Sequence, residues 1–449
     1  MGQQIEVLAR FVAETRIEDI PAPVLQHAKV VLLDTFGVIL AGSERPEVRA
    51  LRDRLVPGGS GATVYARGFP ASDPRTAALL NGIAGRAIEL CEGLRLVSGQ
   101  AAMQVLPALL AVGERAGSAG GEFLAAFVLG YEVVGRLATG FTARPLAHQN
   151  GQVSLIAAAA AGARLRGLDA AGVSRAMRIA TTLLLTPSYT NAVAGATALN
   201  VAGGMSGFAG ALAPELALAG FEAELDAVEQ ALGELVGAGF APERILDGLG
   251  AHWQITRNYF RLYACCNPIH PALDCLRAAL DELRPRPEEI ERIEVATYRF
   301  ASVMRNPEPP NYFASKYSLP HAAAAMAVRG GAGFAELDDS ALADPAIARL
   351  RPLVHIAEDS AMTAVVPERR PARVTVTLSD GRQATHARDS HRGDFDEPFA
   401  ETELRGKFRE LAGTVLKTAA VAAVETAIDR CDTWHSAAEL AELLRRGPA

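Results

Sequence analysis

The chain has 449 residues, 44 Lys+Arg against 51 Asp+Glu and a formal charge of −7. Its pI near 5.8 argues against a nucleic-acid ligand, because phosphate binding needs a basic face. With 49% hydrophobic and 21% charged residues it is globular rather than disordered, and the length predicts two or three domains at ~150 residues each.

The first residues, Met1-Gly2-Gln3-Gln4-Ile5-Glu6, have neither the basic start nor the apolar core of a signal peptide. From residue 1 to about 260 the period is helical. Residues 21–42 carry Pro21 and Pro23 near the start, apolar Val24, Ala28, Val31, Leu32, Phe36 and Ile39 at three- and four-residue steps, and Gly42 as a stop. Asp73-Pro74 opens a second helix through Leu80, Ile83 and Ala87. Further helices are expected at 104–116, 121–138, 152–166, 169–184, 205–219 and 225–235, with Ala and Gly where helices approach closely. The 36 residues from Ile179 to Pro214 carry no Asp, Glu, Lys or Arg. Pro187, Asn191, Asn200 and Gly203-Gly204 interrupt the run, so it reads as a buried, glycine-rich segment rather than a membrane span.

Past about 270 the pattern changes. Residues 292–299 alternate and predict a strand. Arg373 to Leu378, the turn Ser379-Asp380-Gly381 and Gln383 to Arg388 predict a β-hairpin, with helices between at 318–328 and 337–349. After Pro398, Thr402 to Ala412 and Ala419 to Asp429 are helical again. The expected fold is mainly α with an α+β part. A large all-helical domain of 1–265, completed by 398–449, is interrupted by a smaller α+β domain of 270–397, with a cleft between them.

Several chemistries lack their signatures. No Gly-x-Gly-x-x-Gly follows a predicted strand, and Gly58-Gly59-Ser60-Gly61 and Gly330-Gly331-Ala332-Gly333 lack the Lys-Ser/Thr of a P-loop. Ser206 misses the second glycine of a nucleophile elbow. Five Cys, two of them adjacent at 265 and 266, make neither a disulfide framework nor a paired Cys-x-x-Cys zinc site. A reduced cytoplasmic setting without metal or cofactor is the expectation.

Four segments combine ionisable residues with turn formers. They are Glu89 to Arg95 followed by Ser98-Gly99-Gln100; His148-Gln149-Asn150-Gly151 at a helix start; Arg261 to Pro271, containing Cys265-Cys266 and His270; and Ser315-Lys316-Tyr317-Ser318-Leu319-Pro320-His321. A helix start offers free N–H groups and the positive dipole end, suited to a carboxylate. His252, His355, His386, His391 and His435 are expected to be structural.

An ordered series of motifs resembles the MmgE/PrpD family, which includes 2-methylcitrate dehydratase, cis-aconitate decarboxylase and iminodisuccinate epimerase. The series is Leu32-Leu33-Asp34-Thr35-Phe36-Gly37-Val38, Ala78-Leu79-Leu80-Asn81-Gly82, Gly130-Tyr131-Glu132-Val133, Cys265-Cys266 with His270-Pro271, and Lys316 with Ser318-Leu319-Pro320. Asp380-Gly381-Arg382 and Arg392-Gly393-Asp394 with Glu397-Pro398 continue it. The resemblance implies a homodimer and cofactor-independent chemistry at the domain interface. His148 and His270 match histidines of the family site, and Lys316 and Arg261 match positions that commonly hold a basic residue. Glu89 falls where other branches have Asp, Gln100 replaces a His, Leu199 replaces a basic residue and His321 replaces a Tyr.

The family's reactions share removal of a proton from carbon beside a carboxylate or imine, which needs a base and groups that hold the developing charge. With His148, His270 and His321 kept or gained while other donors are lost, a two-base epimerase of a small di- or tricarboxylate leads. His148 and His270 would shuttle protons, Lys316 and Arg261 hold carboxylates, and His321 and Gln100 hydrogen-bond, with Glu89 also binding substrate. A lyase of the same family, dehydratase or decarboxylase, is the alternative, and a non-catalytic carboxylate binder is the third reading. No nucleic-acid or membrane partner is expected.

Overall fold

Apolar residues at helical spacing become buried helix faces throughout the first of two units into which the chain divides. That unit comprises Met1–Tyr189, Ala198–Asn258 and Ala400–Ala449; the second comprises Thr190–Thr197 and Tyr259–Phe399. The computed structural model describes residues 2–56, 59–95 and 99–446, so Met1, Gly58 and Ser98 of the motifs above lie outside the described residues.

In the first unit, helix Ala22–Gly42 starts behind Pro21 and buries Val24, Ala28, Val31, Leu32, Phe36 and Ile39. Helix Pro74–Arg86 is capped by Asp73, whose carboxylate accepts the N–H groups of Arg75 and Thr76. Helices Ala102–Ala116, Gly120–Gly140, Val153–Leu165 and Ala170–Ala180 follow close to their expected positions. Helix Glu401–Ala412 returns to pack on Ala22–Gly42, with Phe408 against Gly37.

Helix Asn200–Leu218 begins five residues before its expected start. The Gly203-Gly204 pair reads locally as a breaker, yet here glycine is what lets the helix form in place. A Cβ on Gly204 would stand 2.5 Å from the Leu79 carbonyl oxygen, and one on Gly207 2.7 Å from that of Ala78. A Cβ on Gly162 would stand 2.1 Å from the carbonyl oxygen of Gly210. Packing without side chains overrides weak helix propensity.

The order of these contacts sets directions. Residues 78 to 82 meet 207 to 203, so Pro74–Arg86 runs antiparallel to Asn200–Leu218. Met103, Pro107 and Ala108 meet Gly203, Gly207 and Gly210 in the same order, so Ala102–Ala116 runs alongside it in parallel. The end of the first helix and the starts of the other two therefore share one end of the bundle, where Gln104 also ties the start of Val153–Leu165.

Elsewhere the expected 225–235 helix is Ala227–Gln230 leading into a π turn, Ala231–Leu235. The expected 169–184 helix stops at Ala180, before the 3-10 turn Thr181–Leu183. Helices Ala22–Gly42, Gly120–Gly140 and Thr197–Leu218 are long and apolar enough to cross a membrane. Their apolar windows are 78%, 94% and 61% buried, so helix packing already occupies most of that surface.

The second unit is built on a four-stranded sheet in the order Gln383–Arg388, Ala372–Leu378, Ile290–Thr297, Val354–Glu358. The first two pairings are antiparallel and the last is parallel. Gly381, at φ 87, makes the predicted hairpin turn. Ala372, Val374, Val376 and Leu378 face helix His270–Leu283, which packs on this hairpin. The helix expected at 337–349 is two pieces, Ser340–Ala343 and Pro345–Leu350, divided where Asp344 caps the second ahead of Pro345. The protein is thus mainly α, with a large helical unit and a smaller α+β unit.

Candidate active site

The residues singled out by sequence fall into two groups, one in each unit. In the first unit, helix Pro74–Arg86 ends and the chain turns through Glu89 at φ 53, a left-handed conformation uncommon for this residue type. Glu89 is 1% exposed rather than facing water, and its carboxylate pairs with Arg86, which is wholly buried.

Gln100, His148 and the next helix start are joined through Gln104. The Gln104 side-chain amide donates to the Gln100 carbonyl at 2.8 Å and lies 3.5 Å from Asn150 Oδ1. Its Oε1 accepts from the Gly151 N–H and the Ser206 hydroxyl, both at 2.9 Å. His148 stacks on Tyr189, ring centroids 5.6 Å apart and 11° between planes. Its Nδ1 accepts the Asn150 backbone N–H at 3.2 Å, which puts the ring proton on Nε2. Burial, with the Arg86 charge nearby, pushes the His148 pKa down to about 3. His148 is therefore a neutral N–H donor across the working range.

Around these residues are buried amides with unused capacity. Gln100 Oε1, Asn150 Nδ2 and both side-chain polar atoms of Gln152 and of Asn200 have no hydrogen-bond partner among the described residues. Leaving such a group buried and unsatisfied costs about 1–3 kcal/mol. They sit at the bundle end where helix N-termini converge, the kind of place where a ligand supplies the missing partners.

Nearby Glu92 is fully buried, accepting from the Tyr131 hydroxyl at 2.5 Å, the Ala102 N–H at 2.9 Å and Asn258 Nδ2 at 3.4 Å. Burial pushes its carboxyl up from near 4.5 to about 7, and Asp34 adds to the rise. The folded chain therefore holds this proton longer than the unfolded chain. Its contribution to stability is present at low pH and is lost as pH rises from about 4.5 through about 7. Thermal melts across that window should show Glu92→Gln flattening the decline; an unchanged slope would remove Glu92 as its source.

In the second unit the group forms around one carbonyl. The 3-10 turn Asn267–Ile269 leads into helix His270–Leu283, and His270 Nε2 lies 3.0 Å from the Cys265 carbonyl oxygen. A carbonyl only accepts, so His270 donates its Nε2–H there, and Nδ1 is the nitrogen left to take up or give a proton. Arg261, 1% exposed, donates to the same oxygen at 3.3 Å and to the Tyr259 hydroxyl at 3.4 Å. Lys316 is fully buried, accepts the Cys266 N–H at its own carbonyl, donates to the Leu337 carbonyl and stands 3.9 Å above the Tyr312 ring. His321 Nδ1 accepts from Arg351 at 3.1 Å, and its Nε2 has no partner among the described residues. Burial, then the Arg351 and Lys316 charges, push the His321 pKa down to about 3.

Tyr263 meets the His270 ring edge-on at 5.3 Å and donates its hydroxyl to Asp274 at 2.9 Å. A cavity of about 620 Å³ in this unit is lined by Tyr263, Asp274, Arg277, Arg388 and Arg392 among others. All five cysteines are buried and none is in a disulfide, and burial pushes the Cys265 thiol well up, away from the nucleophilic thiolate. Among the described residues no group of three or more His, Cys, Asp or Glu is placed to hold a metal ion.

Sequence reasoning missed His391, which is 1% exposed with its ring 5.4 Å from that of His270. It also missed Gln104, which ties Gln100 to the start of Val153–Leu165, and Arg86 and Arg351, whose charges add to burial in keeping His148 and His321 neutral. The signal for His391 was its place beside Arg392-Gly393-Asp394, one of the motifs in the ordered series.

Comparison with known proteins bears on both halves. The MmgE/PrpD N-terminal domain matches residues 6–239 and the MmgE/PrpD C-terminal domain matches residues 263–433. The chain is similar to cis-aconitate decarboxylase-like protein oryM of Aspergillus oryzae, 27% identical over 99% of this chain and 97% of that one. It is 25% identical to the cis-aconitate decarboxylase of Aspergillus terreus, covering 97% and 95%, and 23% identical to that of Mus musculus, covering 99% and 93%. With both halves matched in order along nearly its whole length, the chain belongs to the MmgE/PrpD family and is an enzyme of it.

Proposed function

We propose that the protein is a lyase acting on a small di- or tricarboxylate by proton transfer at carbon, of the decarboxylase or dehydratase kind. The observation that carries this reading is the charge state of the imidazoles. His148 and His321 are held neutral as Nε2–H donors, whereas His270 commits Nε2–H to the Cys265 carbonyl and has Nδ1 left to exchange a proton. One base with several neutral donors suits one-base chemistry. Loss of a carboxylate as CO₂ leaves an electron pair on carbon, which His270 quenches with a proton that Nδ1 has taken up from solvent, Nε2–H staying on the Cys265 carbonyl. Loss of water instead has His270 take the α-proton while the hydroxyl departs with a proton from a donor. Arg261 and Lys316 hold carboxylates in the second unit; in the first unit His148 and Gln100, with the Glu89–Arg86 pair, form a polar group of their own. The names of the relatives support the lyase outcome.

Epimerisation, the outcome favoured by residue types, is the second reading. It is supported by the substitutions at Gln100 and Leu199, which remove groups that help a leaving group depart. The proposal includes a cytoplasmic homodimer working without a bound cofactor.

Proton NMR in D₂O with cis-aconitate, 2-methylcitrate, citrate and iminodisuccinate tests it. Gain or loss of vinyl signals is expected with one of the first three. Deuterium entering an α-carbon without elimination would replace the lyase by the epimerase, and silence throughout would leave a carboxylate binder.

A further inference from the structure

We infer that Arg370, Asn267 and His391 form a positioning relay that keeps His391 neutral against the catalytic imidazole; this rests on the proposed role of His270. Arg370 Nη1 donates to Asn267 Oδ1, and a guanidinium can only donate. The amide orientation of Asn267 is thereby fixed, with its NH₂ turned to its other partner. That partner is His391 Nε2. A donor facing Nε2 requires a lone pair there, so His391 carries its single proton on Nδ1. Taking a second proton would set two donors against each other inside a site where Arg370, Asn267 and His391 are 6%, 2% and 1% exposed.

The consequence falls on His270. Its ring packs against two others, Tyr263, edge-on at 5.3 Å, and His391, tilted 45° at 5.4 Å. Nε2–H is anchored on the Cys265 carbonyl, so these two rings fix the direction in which Nδ1 points. A charged His391 at that spacing would oppose the positive charge His270 gains on accepting a proton. The relay thus lets a buried arginine hold a histidine uncharged through one amide, and His391 fills the space beside His270 without a competing charge. Tyr259, edge-on to His391 at 5.4 Å, completes its packing.

The test reads the tautomer directly. In wild type, ¹⁵N-edited imidazole spectra with the His391 signals assigned by His391→Gln should show a neutral ring protonated on Nδ1. Asn267→Asp offers His391 Nε2 an acceptor, so that ring should gain a proton on Nε2. With it kcat should fall ~10- to 100-fold while KM moves little. A wild-type His391 protonated on Nε2 overturns the inference without any variant having to fold. So does Asn267→Asp that switches the His391 signal yet leaves kcat unchanged. If His270→Ala keeps full activity, the reading of His270 as base fails separately, and the His391 spectrum still decides the tautomer.

Discussion

His270→Gln is expected to lower kcat by ~10²–10⁴-fold, the usual contribution of a positioned general acid or base. Glutamine keeps a donor that can reach the Cys265 carbonyl, now served by Nε2–H at 3.0 Å, but has no basic nitrogen to replace Nδ1. The loss should fall on kcat and much less on KM, because Arg261 and Lys316 are proposed to hold the carboxylates. His148→Gln, replacing a ring that stays neutral down to about pH 3, should leave the acid limb of the rate profile where it is. Steady-state kinetics with whichever substrate responds by NMR, beside thermal melts, separates chemistry from folding. A His270→Gln enzyme within threefold of wild-type kcat would remove His270 from the reaction.

The largest expected loss of stability comes from a buried ion pair of the first unit. Lys407, on helix Glu401–Ala412, lies 2.6 Å from Asp34 on helix Ala22–Gly42, and also donates to the Leu90 carbonyl at 2.8 Å. Their side chains are 3% and 1% exposed. Lys407→Met leaves the Asp34 carboxylate buried without its cation, close enough to Glu92 to disfavour ionisation there. Breaking a buried pair from one side costs about 3–5 kcal/mol. Adding Asp34→Asn removes the stranded charge and should recover much of that loss, because residues in direct contact do not add independently. Denaturant melts of the two variants measure both effects. A loss under about 1 kcal/mol for Lys407→Met would mean that water reaches the pair.

Much of the fold is legible in the sequence because helical spacing is a strong signal over long segments, as in residues 21–42. Strand Val354–Glu358 escaped notice for a physical reason. It is five residues long at the sheet edge, and only Val354 is buried, so little alternation is impressed on it. The hairpin was legible because Gly381 and two alternating runs all point to one turn. Of the candidate residues, His270 and Lys316 were singled out by the ordered motifs, and His148 by its match to a histidine of the family it resembles. The neutral state of His148 and His321 was not legible, because it is set by burial and by arginines remote in sequence. Arg351 lies thirty residues from the His321 it contacts. The partner of Asn267 is 124 positions away. The pairing of Glu89 with Arg86 was not legible, because nothing local tells that both side chains are buried.

The glycine crossings of helix Asn200–Leu218 also bear on how such an enzyme can change its substrate. Where backbone meets backbone, as at Gly162, Gly204 and Gly207, there is no side chain to lengthen or trim, and an added methyl would collide with a carbonyl. The spacing of the helix starts is therefore closed to gradual adjustment. Diversification is channelled into the segments that flank those starts, residues 87–101, 147–152 and 184–200. Glu89, Gln100 and Leu199, where this chain departs from the motifs it otherwise follows, all lie in them. The bundle acts as a fixed gauge, and evolvability resides in its loops.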